Sequence, residues 1–296
     1  MGRALEILLA AFGLTLLAGS SALAAAPVAI VPITVGWNRI MVPATVNGSN
    51  GLSFLLDTGF SMTMIHPELV SPLQLRRVGE VTIVGIAGDE KAPTYEGAVF
   101  DLGGARYAPR EVAALGSDGN RRRHDGIIGS GLFRQFVVEI DFAGKRLALY
   151  VPASFRYQGQ GEVVPLRFRR FGTTPLVDAT IKATNGTPIR GVFELDSGCD
   201  SGVCLSHDFV QENRLLNEEA TRTGGKFGVG GGAKTRSGHL PELQLGAMKI
   251  ESPQTDFFVE GSPVDPGLAG HIGVGVLRHF KVIFDYSRKQ LILEKR

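Results

Sequence analysis

Short apolar runs alternate with turn-forming residues over most of this 296-residue chain. The Asn-Gly pairs at residues 47–48 and 185–186 each separate two β-like runs, which is a strong signal for a β-hairpin. Few segments have helical spacing. Residues 206–220 are the longest candidate, and residues 132–136 and 277–280 are each predicted as a short helical turn. The pattern therefore predicts an all-β protein.

Three kinds of segment in the first half recur in the second half, in the same order. They are an apolar run with an acid (residues 54–61 and 193–200), a glycine-rich tip (84–88 and 227–232) and an apolar segment interrupted by glycines (126–136 and 270–280). Because chance matches would not keep this order, we predict two homologous lobes. We place them at residues 25–155 and 156–296.

Each copy of the first segment brings one carboxylate to a turn. Asp57 and Asp196 each follow apolar residues and precede a small hydroxyl residue and a glycine. Such a triplet alone is more often an ordinary turn, in which Asp bonds its own backbone. A buried carboxylate, however, costs free energy unless it has hydrogen-bond partners or a functional role. Since the acid has the same place in both halves, we expect the two carboxylates to meet.

Composition and charge narrow the class of protein. The chain is 44% hydrophobic, which is enough for a substantial core, and its 39 glycines are typical of many tight turns. The formal net charge of +2 is too small to indicate nucleic acid or an acidic membrane surface as a partner. The sequence contains no Gly-x-Ser-x-Gly, His-Glu-x-x-His or P-loop motif.

The first 24 residues are predicted to be a secretory signal peptide. Arg3 provides the charged start, residues 7–17 are mostly apolar, and residues 22–24 have small side chains at alternate positions. No later stretch has about 18 uninterrupted apolar residues, so nothing else is expected to span a membrane. We therefore expect an exported protein, periplasmic or secreted, with no membrane association once the signal is removed.

The order of these segments resembles the pepsin/retropepsin-like aspartic proteases. An apolar strand, Asp57-Thr58-Gly59 or Asp196-Ser197-Gly198, a glycine-rich tip and a later apolar-apolar-Gly strand follow one another in both halves. The plan is similar to a bacterial exported type with two retropepsin-like lobes in one chain. The resemblance implies two β-barrel lobes with a cleft between them, and an aspartic endopeptidase that is active as a monomer.

The resemblance also assigns roles to residues. It implies that Asp57 and Asp196 are catalytic, and that five residues support this dyad, namely Thr58, Gly59, Ser61, Ser197 and Gly198. Two flaps are expected to close over an extended peptide or unfolded protein substrate, with tips at Gly85, Ile86, Ala87 and Gly88 and at Gly228, Val229, Gly230 and Gly231. No cofactor and no metal are expected. The alternative is a catalytically inactive relative that binds peptides or proteins in the same cleft.

Two residues of the second half depart from the family pattern. Asp200 stands where the first half has Ser61, and His271 replaces an apolar residue. We expect Asp200 either to cap a turn or to lie beside Asp196 as a third carboxylate. In the second case its charge would raise the pKa values of the dyad.

Cys199 and Cys204 are the two cysteines of the chain. In an exported protein they could form a disulfide, but their close spacing in a predicted strand favours two free thiols. Two cysteines alone make a weak metal site, and no histidine lies at a suitable spacing nearby.

Overall fold

A computed structural model describes residues 26–116, 124–169, 173–262 and 266–296. The predicted signal peptide lies outside these described residues. Within them, no helix is long and apolar enough to span a bilayer. Strands dominate, and the predicted all-β class with two lobes is confirmed.

The described residues of the first half of the chain form thirteen strands. In chain order they are β1 (Ala29–Pro32), β2 (Thr34–Gly36), β3 (Arg39–Val46), β4 (Leu52–Leu56), β5 (Thr63–Ile65), β6 (Arg76–Gly85), β7 (Gly88–Glu96), β8 (Phe100–Leu102), β9 (Ala105–Tyr107), β10 (Val112–Ala114), β11 (Gly126–Ile128), β12 (Val137–Asp141) and β13 (Arg146–Tyr150).

Thirteen more strands are found in the part of the second half that the structure describes. They are β14 (Glu162–Pro165), β15 (Arg167–Arg169), β16 (Thr174–Lys182), β17 (Pro188–Asp196), β18 (Val203–Leu205), β19 (Arg222–Gly228), β20 (Gly231–His239), β21 (Glu242–Leu245), β22 (Met248–Glu251), β23 (Gln254–Phe258), β24 (Gly270–Gly273), β25 (Phe280–Asp285) and β26 (Gln290–Lys295).

The helices of the described residues are short. They are a 3₁₀ turn (Pro67–Leu69), α1 (Gly131–Gln135), α2 (His207–Glu212) and α3 (Val274–Leu277). The predicted helix over 206–220 is wrong beyond Glu212, because Asn213 leaves the helical region and Arg214 has a φ of +51°. The turn predicted at 277–280 instead occurs at 274–277, since β25 begins at Phe280.

The two halves form sheets with the same strand order, as the sequence repeat predicts. The first ten-stranded sheet has the order β6-β7-β10-β5-β11-β4-β3-β8-β9, with β2 paired to β3. The second has the order β19-β20-β23-β18-β24-β17-β16-β21-β22, with β15 paired to β16. Every strand of one sheet therefore has a counterpart at the same place in the other, which is the architecture of a duplicated lobe.

A six-stranded sheet joins the two halves. Its order is β1-β13-β12-β25-β26-β14, so β12 of the first half pairs with β25 of the second. Apolar side chains alternate along the strands: on β3, Ile40, Val42, Ala44 and Val46 are buried, and the residues between them are partly or fully exposed. One apolar cluster consequently extends through both halves and this shared sheet.

One threaded strand in each lobe sets the position of the acid-bearing turn. β11 lies between β4 and β5 and runs parallel to β4, and β24 lies between β17 and β18 in the same way. The close approach requires glycine, because a Cβ at Gly126 would overlap the Met64 carbonyl and one at Gly270 would overlap the Cys204 carbonyl. These strands hold the ends of β4 and β17 from behind.

Candidate active site

The two acids of the sequence repeat end equivalent strands. Asp57 directly follows β4, and Asp196 is the last residue of β17. Oδ1 of Asp57 accepts hydrogen bonds from the backbone N–H groups of Gly59 and Phe60, at 2.8 and 3.0 Å. Oδ1 of Asp196 accepts from those of Gly198 and Cys199, at 2.8 and 3.2 Å. Each turn thus fixes its carboxylate by the same pair of donors.

Two hydroxyl groups connect the turns across the lobe interface. Thr58 N–H donates to Ser197 Oγ, and Ser197 N–H donates to Thr58 Oγ1, both at 2.9 Å. Thr58 Oγ1 also donates to the Leu195 carbonyl at 2.7 Å, and Ser197 Oγ donates to the Leu56 carbonyl at 2.9 Å. Both side chains are fully buried, so these four bonds form a rigid link directly beneath the two acids.

The carboxyl groups of Asp57 and Asp196 face each other and share a hydrogen bond. Glycine makes this approach possible on both sides. A Cβ at Gly59 would lie 2.9 Å from Asp196 Oδ1, and a Cβ at Gly198 would overlap the Asp57 carboxylate. The structure therefore brings together the two acids, the two hydroxyl residues and the two glycines that the sequence singled out.

Two β-hairpins close the cleft above the acids. The β6–β7 hairpin turns at Ile86 and Ala87, and the β19–β20 hairpin turns at Val229 and Gly230. The tips touch, since a Cβ at Gly85 would overlap the Val229 carbonyl and one at Gly230 would overlap the backbone of Gly88.

The remaining tip residues complete this contact. Gly228 lies against the Ile86 side chain, since a Cβ built on Gly228 would be 3.2 Å from Ile86 Cγ2. Gly231 faces Ala87, since a Cβ built on Gly231 would be 3.7 Å from Ala87 Cβ. Gly88, Gly230 and Gly231 have φ values of +148°, +81° and +122°, which favour glycine. Both predicted flaps are present as hairpins, and they enclose a cavity of about 490 Å³ that both acids line.

We expect the two flap tips to open and close as a pair. Amide exchange at residues 85–88 and 228–231 should slow together when a peptide inhibitor binds. Gly85→Ala should abolish this protection at both tips, because the added Cβ collides with the Val229 carbonyl. Gly51→Ala is the matched control, since a Cβ there has nothing within 4 Å. Protection confined to the first tip would contradict a paired gate and indicate a single flap.

Comparison with known proteins bears on this arrangement. Residues 42–132, which carry Asp57 and the first flap, match the aspartyl protease family model. The fold matches the crystal structure of aspartic proteinase from Irpex lacteus with a TM-score of 0.60, at 15% identity, over 90% of this chain and 96% of that chain. The search of curated proteins finds no match.

The family match over residues 42–132 and the fold match over most of the chain both support a resemblance to the pepsin/retropepsin-like aspartic proteases. The predicted resemblance is thereby confirmed, and so is the pepsin-like bilobal fold. The features that depart from the ordinary family pattern lie in the second lobe, around Asp196.

The two facing acids, Asp57 and Asp196, differ in their electrostatic surroundings. Burial raises the pKa of Asp57 well above its ordinary value, and the neighbouring charge of Asp196 raises it further. Burial also acts to raise the pKa of Asp196, but the charge and hydrogen bond of His271 outweigh it, so the pKa of Asp196 is lowered. The pKa values of the two acids are therefore shifted in opposite directions.

His271 was noted in the sequence as a departure, but its contact with the dyad was not predicted. Its Nδ1 lies 3.0 Å from Asp196 Oδ2, and its Nε2 lies 3.9 Å from Oε2 of Glu194. All three side chains are buried. Glu194 was missed by the sequence analysis, although an acid two positions before Asp196 in an otherwise apolar run was the available signal.

Asp200 does not lie beside Asp196 as a third dyad carboxylate. Its Oδ1 is 2.7 Å from the Lys226 ammonium, and its Oδ2 is 3.8 Å from Arg39. Its backbone carbonyl accepts a hydrogen bond from Asn38 at 2.7 Å. The side chain is 38% exposed and neutralised by cations, so the structure opposes the hypothesis that Asp200 raises the pKa values of the dyad.

Ser61 also differs from expectation. The residue is exposed, and its carbonyl accepts a hydrogen bond from Ser130 Oγ at 3.1 Å. Among the described residues, the Ser61 hydroxyl makes no hydrogen bond to Asp57. The carboxylate is supported by backbone N–H groups instead.

One group of described residues has the chemistry to hold a metal ion. Ligand-type atoms of Asp196, Cys199 and His271 lie within 4.8 Å of one another. These atoms already contact protein partners: Nδ1 of His271 is 3.0 Å from Asp196 Oδ2, and Cys199 Sγ is 3.3 Å from Cys204 Sγ. Both thiols are free. We therefore interpret the group as an internal ion pair with two adjacent thiols.

Proposed function

We propose that the chain is an aspartic endopeptidase that hydrolyses peptide bonds with a water molecule activated by Asp57 and Asp196. The observation that carries the proposal is the facing pair of carboxyl groups, each held by two N–H donors and joined from below by Thr58 and Ser197. The family match and the fold support an aspartic protease-like function.

The chemistry follows from the closeness of the two acids. Two carboxyl groups that face each other this closely cannot both ionise easily, because their negative charges repel. The pair therefore carries one proton near its working pH. The ionised acid accepts a proton from the water as its oxygen attacks the peptide carbonyl carbon, and the protonated acid donates to the carbonyl oxygen. On collapse of the diol, the proton taken from water passes to the leaving nitrogen. The other acid regains its proton from the hydroxyl group.

The proposed substrate is an extended peptide or unfolded protein. The cavity beneath the flaps is lined by residues of both hairpins, whose backbones offer strand-like hydrogen bonding to a peptide. Aromatic and cationic side chains line it, among them Phe60, Phe227, Arg39 and Lys226. A peptide bound there would pass directly over the dyad, and the closed tips would exclude water from the reaction.

Incubation with an unfolded polypeptide across pH 3 to 8 tests this function. We expect discrete fragments from the purified chain and none from Asp57→Asn. Binding of the polypeptide without any cleavage at any pH would instead support the alternative of an inactive peptide-binding relative. If the chain neither binds nor cleaves the polypeptide, both the protease hypothesis and the peptide-binding hypothesis are ruled out.

A single chain should be sufficient for activity. Both acids and both flaps belong to one chain, and the interface between the lobes is formed by its own residues, so no second copy is needed to build the site. Specific activity should stay constant on dilution into the low nanomolar range, with sedimentation at the monomer mass. A steep loss of activity that follows dissociation would show that a second chain contributes.

The proposal includes export. The first 24 residues have the charged, apolar and small-residue regions of a secretory signal, with cleavage near Ala24. Fractionation of cells that produce the full chain, with N-terminal sequencing of the product, tests it. Retention in the cytoplasm with an intact N-terminus would contradict it.

A further inference from the structure

Three buried ionisable side chains lie next to one another in the order Glu194, His271 and Asp196, and the last of them belongs to the dyad. The parallel register of β17 and β24 places Glu194 opposite His271. Glu194 and Asp196 are two positions apart on a strand, so they point to the same face. His271 consequently lies between two carboxylates, with Nδ1 3.0 Å from Asp196 Oδ2 and Nε2 3.9 Å from Glu194 Oε2.

This arrangement is suited to a protonated imidazole. The exposed fractions of His271, Glu194 and Asp196 are 8%, 4% and 9%. Two carboxylates that are removed from water in one place need a cation or a proton between them. Burial acts to lower the pKa of His271, but the Asp196 carboxylate outweighs it, and the pKa is raised well above its ordinary value. A doubly protonated ring can donate from Nδ1 to Asp196 at 3.0 Å, while its charge also acts on Glu194 across 3.9 Å.

The other acid of the dyad has different neighbours. The pKa of Asp57 responds to burial, to Asp196 and to the N–H groups of Gly59 and Phe60. The buried Tyr286 hydroxyl also lies within electrostatic range of Asp57 and Glu194, and it makes no hydrogen bond among the described residues. The protonated imidazole of His271 therefore lies against Asp196 and not against Asp57.

We propose that His271, which lies between Asp196 and Glu194, is a positioning residue that keeps Asp196 ionised and leaves the single proton of the dyad on Asp57. The proposal rests on the proposed function and adds a fixed direction to it. Asp196 accepts the proton of the attacking water and later passes it to the leaving nitrogen. Asp57 donates to the carbonyl oxygen and regains its proton when the diol collapses.

The expected consequence is activity over a broad pH range that includes neutral pH. Activity requires an ionised Asp196 and a protonated Asp57. Because the cation favours ionisation of Asp196, the acidic limb of the pH–rate profile lies at low pH. Because Asp57 is buried beside an anion, it holds its proton to higher pH, and the basic limb lies correspondingly high.

Other titratable groups near these three side chains belong to several elements. Besides the dyad and Glu194, Cys199 in the turn after β17 acts on His271, and Tyr286 after β25 lies within electrostatic range of Asp57 and Glu194. Cys204 on β18 acts on Cys199, and Lys226 on β19 interacts with both thiols. The thiol of Cys199 has a raised pKa because of Cys204 and burial, and it therefore remains neutral across the working range.

Imidazole ¹⁵N titration of the purified full chain tests the proposal without any activity measurement. The His271 signal, assigned by its loss in His271→Asn, should remain doubly protonated well above pH 6.5. Asp196→Asn should lower the His271 pKa by about one to three units, since an opposite charge is lost. Glu194→Gln should lower it by less, because its oxygen is farther away. A His271 signal that titrates normally, or one that ignores Asp196→Asn, would overturn the proposal.

The pH–rate profile tests the same idea in catalysis. In His271→Asn the amide keeps a donor near the Nδ1 position but carries no charge. The acidic limb should therefore move about one to three pH units upward. His279→Asn is the matched control, because His279 is exposed and a few residues away on the chain. Lost stability alone would lower the rate without moving the limb, and an unmoved limb in a folded His271→Asn would contradict the proposal.

The two tests separate the two possible failures. If the chain cleaves no peptide, the proposed function fails, yet the ¹⁵N titration still reports where the proton lies. A chelator is included in both experiments. A change in the His271 signal on chelation would show a metal in place of the proton and would also overturn the proposal.

Discussion

Asp57→Asn and Asp196→Asn should each abolish peptide cleavage while the fold persists. The amide has nearly the size of the acid and can still accept the two backbone hydrogen bonds at its carbonyl oxygen. It cannot share or transfer the proton that the reaction requires. General acid–base catalysis of this kind contributes about 10² to 10⁴ in rate, so kcat should fall by at least about 10²-fold. Fragment yields measured by mass spectrometry, with circular dichroism for the fold, check this result.

Asp178→Asn is the matched control for the dyad variants. Its carboxylate is 76% exposed and pairs with Arg167 at the surface, so activity should be unchanged. Retention of substantial activity in either dyad variant would remove that acid from the mechanism. Activity lost in the control as well would indicate a general effect of the substitution.

Ser197→Ala should destabilise the protein strongly. The hydroxyl accepts from Thr58 N–H and donates to the Leu56 carbonyl, and its removal leaves both buried groups without this partner. Each unsatisfied buried group costs about 1 to 3 kcal/mol, so the free energy of unfolding should fall by about 2 to 6 kcal/mol. Since the same bonds align the acids, kcat should also fall, by about 10- to 100-fold. Urea unfolding and steady-state kinetics measure the two effects.

Ser61→Ala tests whether the loss of stability expected for Ser197→Ala is specific to the hydroxyl groups at the interface between the lobes. Ser61 occupies the turn after Asp57, but its side chain is exposed, so its replacement should change the free energy of unfolding by less than about 0.5 kcal/mol. Equal losses in Ser61→Ala and Ser197→Ala would contradict the special role of the buried link. The pair of variants thus distinguishes a hydroxyl that joins the lobes from one that only resembles it in sequence.

The acids and the flaps could be predicted because their signals are local. An apolar run that ends in Asp57 or Asp196 predicts a strand and its turn, and glycines at 85, 88, 230 and 231 indicate a tight tip. Each of these local patterns also occurs once in each half of the sequence, which strengthens the prediction. The predicted helix at 206–220 was too long because its mixed pattern does not show where the backbone leaves the helix, which happens here at Asn213.

The neighbours of Asp196 could not be predicted in the same way. Asp200 was proposed as a third carboxylate from its position in the repeat, yet it turns toward Lys226 and Arg39. Chain position gives the distance along the backbone and not the direction of the side chain. Lys226 lies 26 residues away in sequence, so its effect on Asp200 is invisible until the strands are assembled.

The sequence by itself determined the all-β class, the two lobes, the two acids and the two flaps, because strand periodicity and turn chemistry are properties of neighbouring residues. Only the tertiary structure decided which acid is electrostatically distinct. β24 is threaded beside β17 and brings His271 close to Asp196 and Glu194, which both lie on β17. The equivalent strand near Asp57 is β11, and it carries the apolar residues Ile127 and Ile128 instead. A carboxylate's pKa depends on burial and on charges within a few ångströms, and those are set by the register of strands that are distant in sequence.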